Sequence, residues 1–449
     1  MRLFGTDGIR GRINRSPMTP EQVLRIGMAA AKALRKEHGR NMVIIGKDTR
    51  LSGYMIESAL TAGICSMGMN VILTGPLPTP GIAFLTRALR LDAGVVISAS
   101  HNSFEDNGIK FFSADGFKLP DALEARIEAL VTDERLGSKR PSGAQIGKAF
   151  RLDDATGRYI EYIKSTISRG TTLEGLRVVV DCANGAAYKV TPWVLRELGA
   201  EVVTINDKPD GVNINAGCGS LHMEGLCDAV RQHRADAGIA HDGDGDRTLM
   251  CDDRGNLVDG DKILGIWALQ MKKEQRLREN TVVSTVMSNL GLENYLSGHG
   301  IKLYRTKVGD RFVTEKMLGA GCVLGGEPSG HIICLDCNTT GDGPVTALHV
   351  LCAMKKENAS LSELAADIKF YPQVLINVPV EKKTDIKAFP EIAQAIREAE
   401  SSLGSSGRVL VRPSGTEHAI RVMVEADDEK LVGKLAGRIA EVIKKTMSA

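Results

Sequence analysis

Several features that mark particular classes of protein are scarce or missing in this sequence. Aromatic residues make up only 4% of the 449 residues, which argues against a stacking platform for single-stranded nucleic acid. Lysine and arginine (57) barely exceed aspartate and glutamate (55), so the net charge of +2 does not favour nucleic acid as a partner. No apolar run approaches about 18 residues, and we therefore expect no membrane-spanning helix and no membrane partner.

Signals for export are also missing. The start of the chain turns polar at Gly5-Thr6-Asp7 and contains no apolar signal core. Nine cysteines form an odd number, and reduced thiols explain them better than a disulfide framework. Cys334 and Cys337 form a lone pair with no second pair, which disfavours zinc or redox chemistry. We expect a cytoplasmic protein.

The chain does contain a repeated strand, turn, helix and strand pattern. At about 100–200 residues per domain, the length suggests two to four domains. The two strands of the repeated unit are predicted at 43–45 and 71–74, at 178–181 and 201–205, and at 282–286 and 301–304. Such units require parallel crossovers, so an α/β architecture is expected. The tail, with predicted strands at 374–380, 409–411 and 420–425 and predicted helices at 385–400 and 429–444, is typical of a small α+β domain. Polar, turn-rich stretches place the predicted domains at 1–153, 154–254, 255–369 and 370–449.

Each α/β unit continues into a further apolar strand that ends in an unusual polar loop. The loops are Ser98–Asn102, His241–Arg247 and Gly325–His331. Ligands of open α/β sheets bind beyond the carboxyl ends of the strands, so these loops are the expected site.

The second loop alternates three aspartates, Asp242, Asp244 and Asp246, with glycines. Three carboxylates this close repel one another unless a hard cation lies between them, which favours Mg²⁺ or Ca²⁺. A solvated acidic turn is the alternative. An EF-hand is disfavoured because Arg247 and Asp253 stand where Gly and Glu are usual. Arg247 beside the acids suits a phosphoryl group shared with the metal.

The first loop places Ser100 directly after a buried strand, where its hydroxyl can attack phosphorus. An ordinary loop serine is the alternative. Lys110 on the next strand is a possible proton or phosphate partner, and His101 is either a further partner or a group that orders the loop. The Gly-x-Ser-x-Gly elbow is absent, which disfavours acyl hydrolysis.

Two further loops can hold a substrate. Glu327, Ser329 and His331 combine an acceptor, a hydroxyl and an imidazole, a set suited to sugar hydroxyls and to proton transfer. Near the C-terminus, the stretch Arg412–Thr416 and Arg421 combine guanidinium groups with hydroxyls and a glycine, which suits a phosphate dianion. An ordinary turn is the alternative at both places. Neither a Walker A loop nor a dinucleotide loop occurs.

Taken together, five stretches resemble the motif set of the α-D-phosphohexomutase family, in the family's order and along the whole chain. They are Thr6–Gly11, Ser98–Asn102, Asp242–Arg247, Gly326–His331 and Arg412–Glu417. Two more, Asp106–Phe112 and Asn338–Gly343, are most similar to the amino-sugar branch of the family. The resemblance implies three similar α/β domains with mixed sheets and a smaller α+β C-terminal domain around a central cleft.

The resemblance also implies a chemistry. A phosphoryl group is carried on Ser100, and one Mg²⁺ is held by Ser100, Asp242, Asp244 and Asp246. The candidate catalytic residues are Ser100, Lys110, His331, Arg10, His101 and Arg247. The candidate substrate-binding residues are Glu327, Ser329, Arg412, Ser414, Gly415, Thr416 and Arg421.

The activity implied is interconversion of glucosamine 6-phosphate and glucosamine 1-phosphate, through phosphoserine and a hexose 1,6-bisphosphate that also primes the enzyme. The small-molecule partner is then a hexosamine phosphate, and a homodimer is possible. Action on glucose or mannose phosphates is the first alternative. A metal-dependent sugar phosphatase, and a sugar-phosphate sensor without turnover, are the others.

Overall fold

The computed structural model describes residues 3–5, 7–36, 39–380, 389–413 and 419–447, and the statements below concern these residues. The first α/β domain contains a six-stranded sheet in the order β1-β5-β4-β2-β3-β6. Its strands are β1 (Ile9–Arg12), β2 (Met42–Lys47), β3 (Asn70–Pro76), β4 (Ala93–Ile97), β5 (Asp106–Ser113) and β6 (Ala149–Arg151). Its helices are α1 (Pro20–Leu34), α2 (Ser52–Ser66), α3 (Thr79–Ala88) and α4 (Asp121–Thr132).

The second and third α/β domains repeat this plan on a smaller scale, with sheets in the orders β11-β10-β9-β7-β8 and β13-β12-β14-β15. The second domain has α5 (Ala155–Ser165), β7 (Arg177–Asp181), α6 (Val190–Glu197), β8 (Glu201–Ile205), α7 (Glu224–His233), β9 (Ala237–His241), β10 (Thr248–Asp252) and β11 (Leu257–Val258). The third has α8 (Gly260–Lys273), β12 (Thr281–Thr285), α9 (Leu290–Gly298), β13 (Lys302–Thr306), α10 (Asp310–Ala320), β14 (Leu324–Gly326), β15 (Ile332–Cys334), α11 (Gly343–Glu357) and α12 (Leu361–Ala366).

The three sheets share one pairing pattern, and the predicted mixed sheets are confirmed. In each domain a central strand pairs in parallel with two neighbours: β2 with β3 and β4, β7 with β8 and β9, β12 with β13 and β14. The last of these strands then pairs antiparallel with the next strand, β5, β10 or β15. The polar loops predicted from the sequence are the connections into these antiparallel strands. Two of the loops are shorter than predicted, because His241 belongs to β9 and Gly325 and Gly326 belong to β14, so these loops begin at Asp242 and Glu327.

The C-terminal domain is smaller and built differently. Its three antiparallel strands, in the order β16-β18-β17, are β16 (Gln373–Pro379), β17 (Gly407–Pro413) and β18 (Ala419–Ala426). Its helices are α13 (Pro390–Leu403) and α14 (Glu429–Met447). The predicted α+β tail is confirmed.

The hydrophobic core of the first three domains is separate from that of the fourth. One continuous core runs through the first three domains and includes Ile82, Tyr159, Val178, Trp267 and Leu348. The C-terminal domain closes around a core of its own between its sheet and its two helices. The first three domains are therefore packed as one body, and the fourth is a separate unit. Within the described ranges no helix is both long and apolar enough to cross a membrane.

Candidate active site

The connection from β4 to β5 carries Ser100, whose side chain is buried at the end of the first sheet. Its backbone adopts the left-handed conformation, with φ at +54°. The Ser98 hydroxyl accepts the Ser100 amide proton at 2.8 Å and donates to Asp48 at 2.7 Å. The Ser100 hydroxyl then points across the domain boundary and donates to Asp242 Oδ2 at 2.6 Å. The predicted nucleophile therefore lies against the predicted metal loop.

Asp242, Asp244 and Asp246 form the candidate metal centre. All three are buried, and one carboxylate oxygen from each lies within 4.8 Å of the others. Asp244 Oδ1 and Asp246 Oδ1 are buried and accept no hydrogen bond from the described residues. Burial and the neighbouring carboxylates Asp246 and Asp244 raise the pKa of Asp242 well above its usual value. Buried, partly unsatisfied, oxygen-only ligands fit a hard divalent cation such as Mg²⁺.

Close packing explains why a glycine stands at position 243, between two of the aspartates. A Cβ atom there would lie 2.6 Å from the carbonyl oxygen of Ser100, closer than real Cβ contacts come. Only glycine lets the metal loop approach the serine loop this closely.

Lys110 and His331 belong to a closed ring of ion pairs in which acids and bases alternate. Lys110 lies 2.9 Å from Asp244, 3.2 Å from Asp246 and 3.2 Å from Asp7. Lys118 lies 2.5 Å from both Asp7 and Asp310. His331 lies 3.6 Å from Asp310 and 3.7 Å from Asp246, which completes the ring. The ring joins residues of all three α/β domains.

The carboxylates of the ring raise the pKa values of its buried bases Lys110 and His331. Burial opposes the charged form of Lys110, but Asp244, Asp246 and Asp7 outweigh it and raise the pKa of the ammonium group well above its usual value. Burial also opposes protonation of His331, yet Asp246 and Asp310 outweigh it and raise the pKa of the imidazole. The Gly341 amide donates to His331 Nε2 at 3.2 Å, a bond that only the neutral imidazole can accept, so the two protonation states of His331 have different partners at Nε2.

His101, Arg247 and Arg10 surround the same cluster. His101 Nδ1 lies 3.5 Å from the Ser100 hydroxyl. Burial, together with Arg247 and Arg10, lowers the pKa of His101 to about 4, so its imidazole is neutral at pH 7. Arg247 Nε lies 3.9 Å from Asp246, and Arg10 pairs with Asp7. Positive charge is thus provided around the position that a Ser100 phosphoryl group would take.

Glu327 and Ser329 lie in the connection from β14 to β15. The Gly309 amide donates to Glu327 Oε1 at 3.0 Å, and the Ser329 hydroxyl donates to Glu327 Oε2 at 3.5 Å. Gly309 immediately precedes Asp310 of the ring, so the predicted hydroxyl-binding pair is held beside His331. A carboxylate and a hydroxyl arranged in this way suit adjacent hydroxyl groups.

The predicted phosphate cradle is only partly covered by the described residues. Arg412 on β17 lies directly opposite Arg421 on β18, so two guanidinium groups share one face of the sheet. Burial and Arg421 together lower the pKa of Arg412. Arg412 Nη2 also contacts Met287 Sδ, at 3.8 Å, in the loop that follows β12. Ser414, Gly415 and Thr416 lie outside the described residues.

Five residues of the site were missed by the sequence analysis. Asp7, Lys118 and Asp310 complete the ring, while Arg50 and Asn215 hold the backbone of the Ser100 loop. Asp7 had a signal, because it stands three residues before Arg10 in a stretch already singled out. The other four act through contacts between distant segments and have no local pattern.

Comparison with known proteins shows to which family the chain belongs. Four family models match the chain in order: phosphoglucomutase/phosphomannomutase alpha/beta/alpha domain I at residues 1–137, domain II at 157–255, domain III at 259–371, and the C-terminal domain at 375–442. The chain belongs to the phosphoglucomutase/phosphomannomutase family. Among the relatives of this family member is a protein named phosphoglucosamine mutase from Syntrophotalea carbinolica, 56% identical over 99% of this chain and 97% of that one. Another of the same name, from Thermodesulfovibrio yellowstonii, is 53% identical over 100% of both.

Solved structures of the family share the fold. A phosphoglucomutase/phosphomannomutase family protein from Burkholderia thailandensis superposes with a TM-score of 0.82 at 22% identity, covering 99% of this chain and 97% of that one. An N-acetylphosphoglucosamine mutase from Aspergillus fumigatus, in complex with GlcNAc-6P and magnesium, superposes with a TM-score of 0.68 at 18% identity, covering 99% and 96%.

Proposed function

We propose that this family member is a cytoplasmic phosphosugar mutase that interconverts glucosamine 6-phosphate and glucosamine 1-phosphate for the synthesis of amino-sugar nucleotides. The observation that carries the proposal is the buried Ser100 hydroxyl, 2.6 Å from a buried aspartate triad. The relatives that are 53–56% identical over nearly the whole chain are named for this activity, and that supports the choice of sugar. In this proposal the chain is an isomerase.

The proposed resident groups are one Mg²⁺ per chain and a phosphoryl group on Ser100. The Mg²⁺ ligands are Asp242, Asp244, Asp246 and the phosphorylated Ser100; the two buried oxygens without donors support this set. When bound, the ion would neutralise charge on the phosphoryl group. Priming of Ser100 by a hexose 1,6-bisphosphate is part of the proposal.

In the first half of the reaction, the bond between phosphorus and Ser100 Oγ breaks as a bond forms to the free hydroxyl of the substrate. That hydroxyl loses its proton, and Ser100 Oγ gains one. The product is a hexose 1,6-bisphosphate, which turns over so that its other phosphate faces Ser100 and the steps run in reverse. We propose Lys110 and His331 for the proton transfers, with His101, Arg247 and Arg10 stabilising the phosphoryl group. Positioning and charge neutralisation supply most of the catalysis in such transfers.

The proposed grip on the substrate has two parts. Glu327 and Ser329 bind hydroxyl groups of the sugar. The phosphate that does not react is held by Arg412, Ser414, Gly415, Thr416 and Arg421 of the fourth domain. Since the intermediate turns over, this cradle must accept either phosphate, and hinging of the fourth domain allows it. Domain boundaries at 1–153, 154–254, 255–369 and 370–449 go with this proposal, and a homodimer stays a prediction for sedimentation analysis.

Ser100→Ala tests the proposal. It should lower kcat by about 10⁴-fold or more, because no other group can accept the phosphoryl. Ser103→Ala, in the same loop but exposed, is the matched control and should retain activity. Intact mass before and after phosphatase treatment reports the phosphoserine, and conversion of glucosamine 6-phosphate reports turnover. Near-wild-type turnover by Ser100→Ala would refute the mechanism.

Two measurements separate the alternatives. Comparison of kcat/KM on glucosamine, glucose and mannose 6-phosphates decides the sugar, since the family models and the Burkholderia thailandensis protein carry the phosphoglucomutase/phosphomannomutase name. Release of inorganic phosphate in step with substrate loss, without formation of the 1-phosphate, would identify a phosphatase instead.

A further inference from the structure

The backbone of the Ser100 loop is held on one side by a buried arginine of its own domain. Arg50 is fully buried, and its Nη2 donates to the carbonyl oxygens of Ser100 at 2.9 Å and Asn102 at 2.8 Å. Its Nη1 donates to the carbonyl oxygens of Ser103 and Asp106, and its Nε donates to Asp48 at 2.9 Å. Arg50 therefore donates hydrogen bonds to four backbone carbonyl oxygens on the inner side of the loop.

On the other side, the same two carbonyls are held by a residue of the second domain. Asn215 Nδ2 donates to the carbonyl oxygens of Ser100 and Asn102, both at 2.9 Å. Asn215 itself is fixed by its amide, which donates to the Ala183 carbonyl at 3.0 Å. Each of the two carbonyl oxygens thus accepts one hydrogen bond from Arg50 and one from Asn215, which is the full capacity of a carbonyl.

This double grip acts on a strained conformation. Ser100 is one of the non-glycine residues with positive φ, a backbone region that serine seldom adopts. Holding its carbonyl fixes the direction of Cα–Cβ, and with it the direction of the hydroxyl toward Asp242. The metal loop packs on the same point, since a Cβ at Gly243 would lie 2.6 Å from the Ser100 carbonyl and 2.9 Å from Asn215 Nδ2. The loop that carries Ser100, the loop that carries the aspartate triad and the side chain of Asn215 therefore pack against one another at one point.

We propose that Asn215 is a positioning residue for phosphoryl transfer: from the second domain, it holds the left-handed backbone of Ser100 so that the hydroxyl faces the aspartate triad. This inference rests on the proposed function. No described contact of Asn215 reaches the ring, Glu327 or the arginines of the fourth domain. Asn215 therefore acts on Ser100 and leaves the grip on the sugar phosphate intact.

Asn215→Asp is the sharpest test, because it keeps the shape but replaces the amide donor with an oxygen facing two carbonyls. Asn213→Asp is the matched control in the same segment; its amide donates to the Lys208 carbonyl at 2.9 Å and not to the serine loop. We expect Asn215→Asp to lower kcat by about 100-fold while KM for glucosamine 6-phosphate changes less than about two-fold. Asn213→Asp should stay close to wild type in both.

A second readout follows the serine directly. Protein freed of phosphate is mixed with glucose 1,6-bisphosphate, and phosphoserine formation is timed by intact mass. Asn215→Asp should be slowed in proportion to its kcat, with a thermal midpoint close to that of Asn213→Asp. If Asn215→Asp does not fold, Asn215→Ala, which removes the donors without adding charge, is used and should show the same split. Equal kcat and equal phosphorylation rates in the variant and its control would overturn the inference. Absence of phosphoserine in the wild type would instead overturn the proposed function.

Discussion

The first three domains and the fourth domain differ in how their cores and their charged side chains are arranged. The three α/β domains share one continuous core, and their polar loops meet in a cluster of buried, paired charges. The fourth domain has a separate core and brings Arg412 directly opposite Arg421. In the cluster, opposite charges alternate, so the geometry is fixed before substrate arrives. On β17 and β18, the like charges of Arg412 and Arg421 face each other, an arrangement that a phosphate dianion would stabilise.

The connection between the two regions is correspondingly narrow. Arg408 of the fourth domain pairs with the buried Glu425 and donates to the Val286 carbonyl at 2.9 Å. Glu425 in turn accepts the Leu290 amide at 2.8 Å. Both third-domain partners belong to the segment that follows β12. From this difference we infer that the first three domains carry out the proposed phosphoryl transfer and that the fourth domain holds the substrate phosphate, and this separation can be tested.

The largest effect is expected in the rigid body. Asp244→Asn removes a ligand charge from the triad and should lower kcat by about 10³-fold. Mg²⁺ should raise the thermal midpoint of the wild type by selective binding to the folded state, and this shift should disappear in the variant. A variant that retained both the shift and the activity would contradict the assignment of the metal site.

Substitution of Arg412, on β17 of the fourth domain, is expected to change a different kinetic constant. Arg412→Ala should raise KM for glucosamine 6-phosphate by about 10-fold or more, since one charge-assisted bond to the dianion is lost, while kcat falls only a few-fold. Steady-state kinetics on both hexosamine phosphates would measure the effect. A loss confined to kcat would place Arg412 with the chemistry and remove the contrast between the two regions.

A smaller effect is expected at the ring of ion pairs. Lys118→Met leaves Asp7 and Asp310 without their common cation and should lower kcat by about 10-fold through looser placement of Lys110 and His331. Lys118→Arg keeps the charge and should recover most of the rate. If Lys118→Arg were as slow as Lys118→Met, the ring would not depend on that charge.

The smallest effect concerns the thermal stability of the region where the third domain leads into the fourth. Asp261 accepts the Asn289 amide at 2.7 Å, and the Asn289 side chain binds the backbone of Tyr371, which leads into the fourth domain. Burial raises the pKa of Asp261 to about 7, whereas the pKa of the same carboxyl group in the unfolded chain is about 4. Between these values the folded state holds the extra proton, so this group makes stability fall as pH rises from about 4 to 7.

Asp261→Asn removes that titration while keeping an oxygen for the Asn289 amide. Thermal midpoints at pH 5.5 and 7.5 should therefore differ by a few degrees more in the wild type than in Asp261→Asn. Parallel pH profiles in the two proteins would show that Asp261 does not carry the dependence.

Much of the site could be predicted because its chemistry is local. Ser100 and the triad each follow an apolar strand, and Arg412 and Arg421 are only nine positions apart in the sequence. The ring could not be predicted, since Lys118 and Asp310 meet across 192 residues of chain. The grip of Arg50 and Asn215 could not be predicted either, because backbone carbonyls leave no trace in a sequence. The three-domain core was equally hidden, since apolar periodicity shows that a face is buried but not against which partner.

The separate core of the fourth domain makes the C-terminal segment an exchangeable cassette. Recombination with a relative at the Lys369–Pro372 junction would exchange the proposed phosphate cradle, provided that the contacts of Arg408 with Val286 and of Arg412 with Met287 are preserved. Chimaeras of that kind would show whether the proposed grip on the phosphate can be exchanged while Glu327 and Ser329, the residues proposed to bind the sugar hydroxyls, stay unchanged.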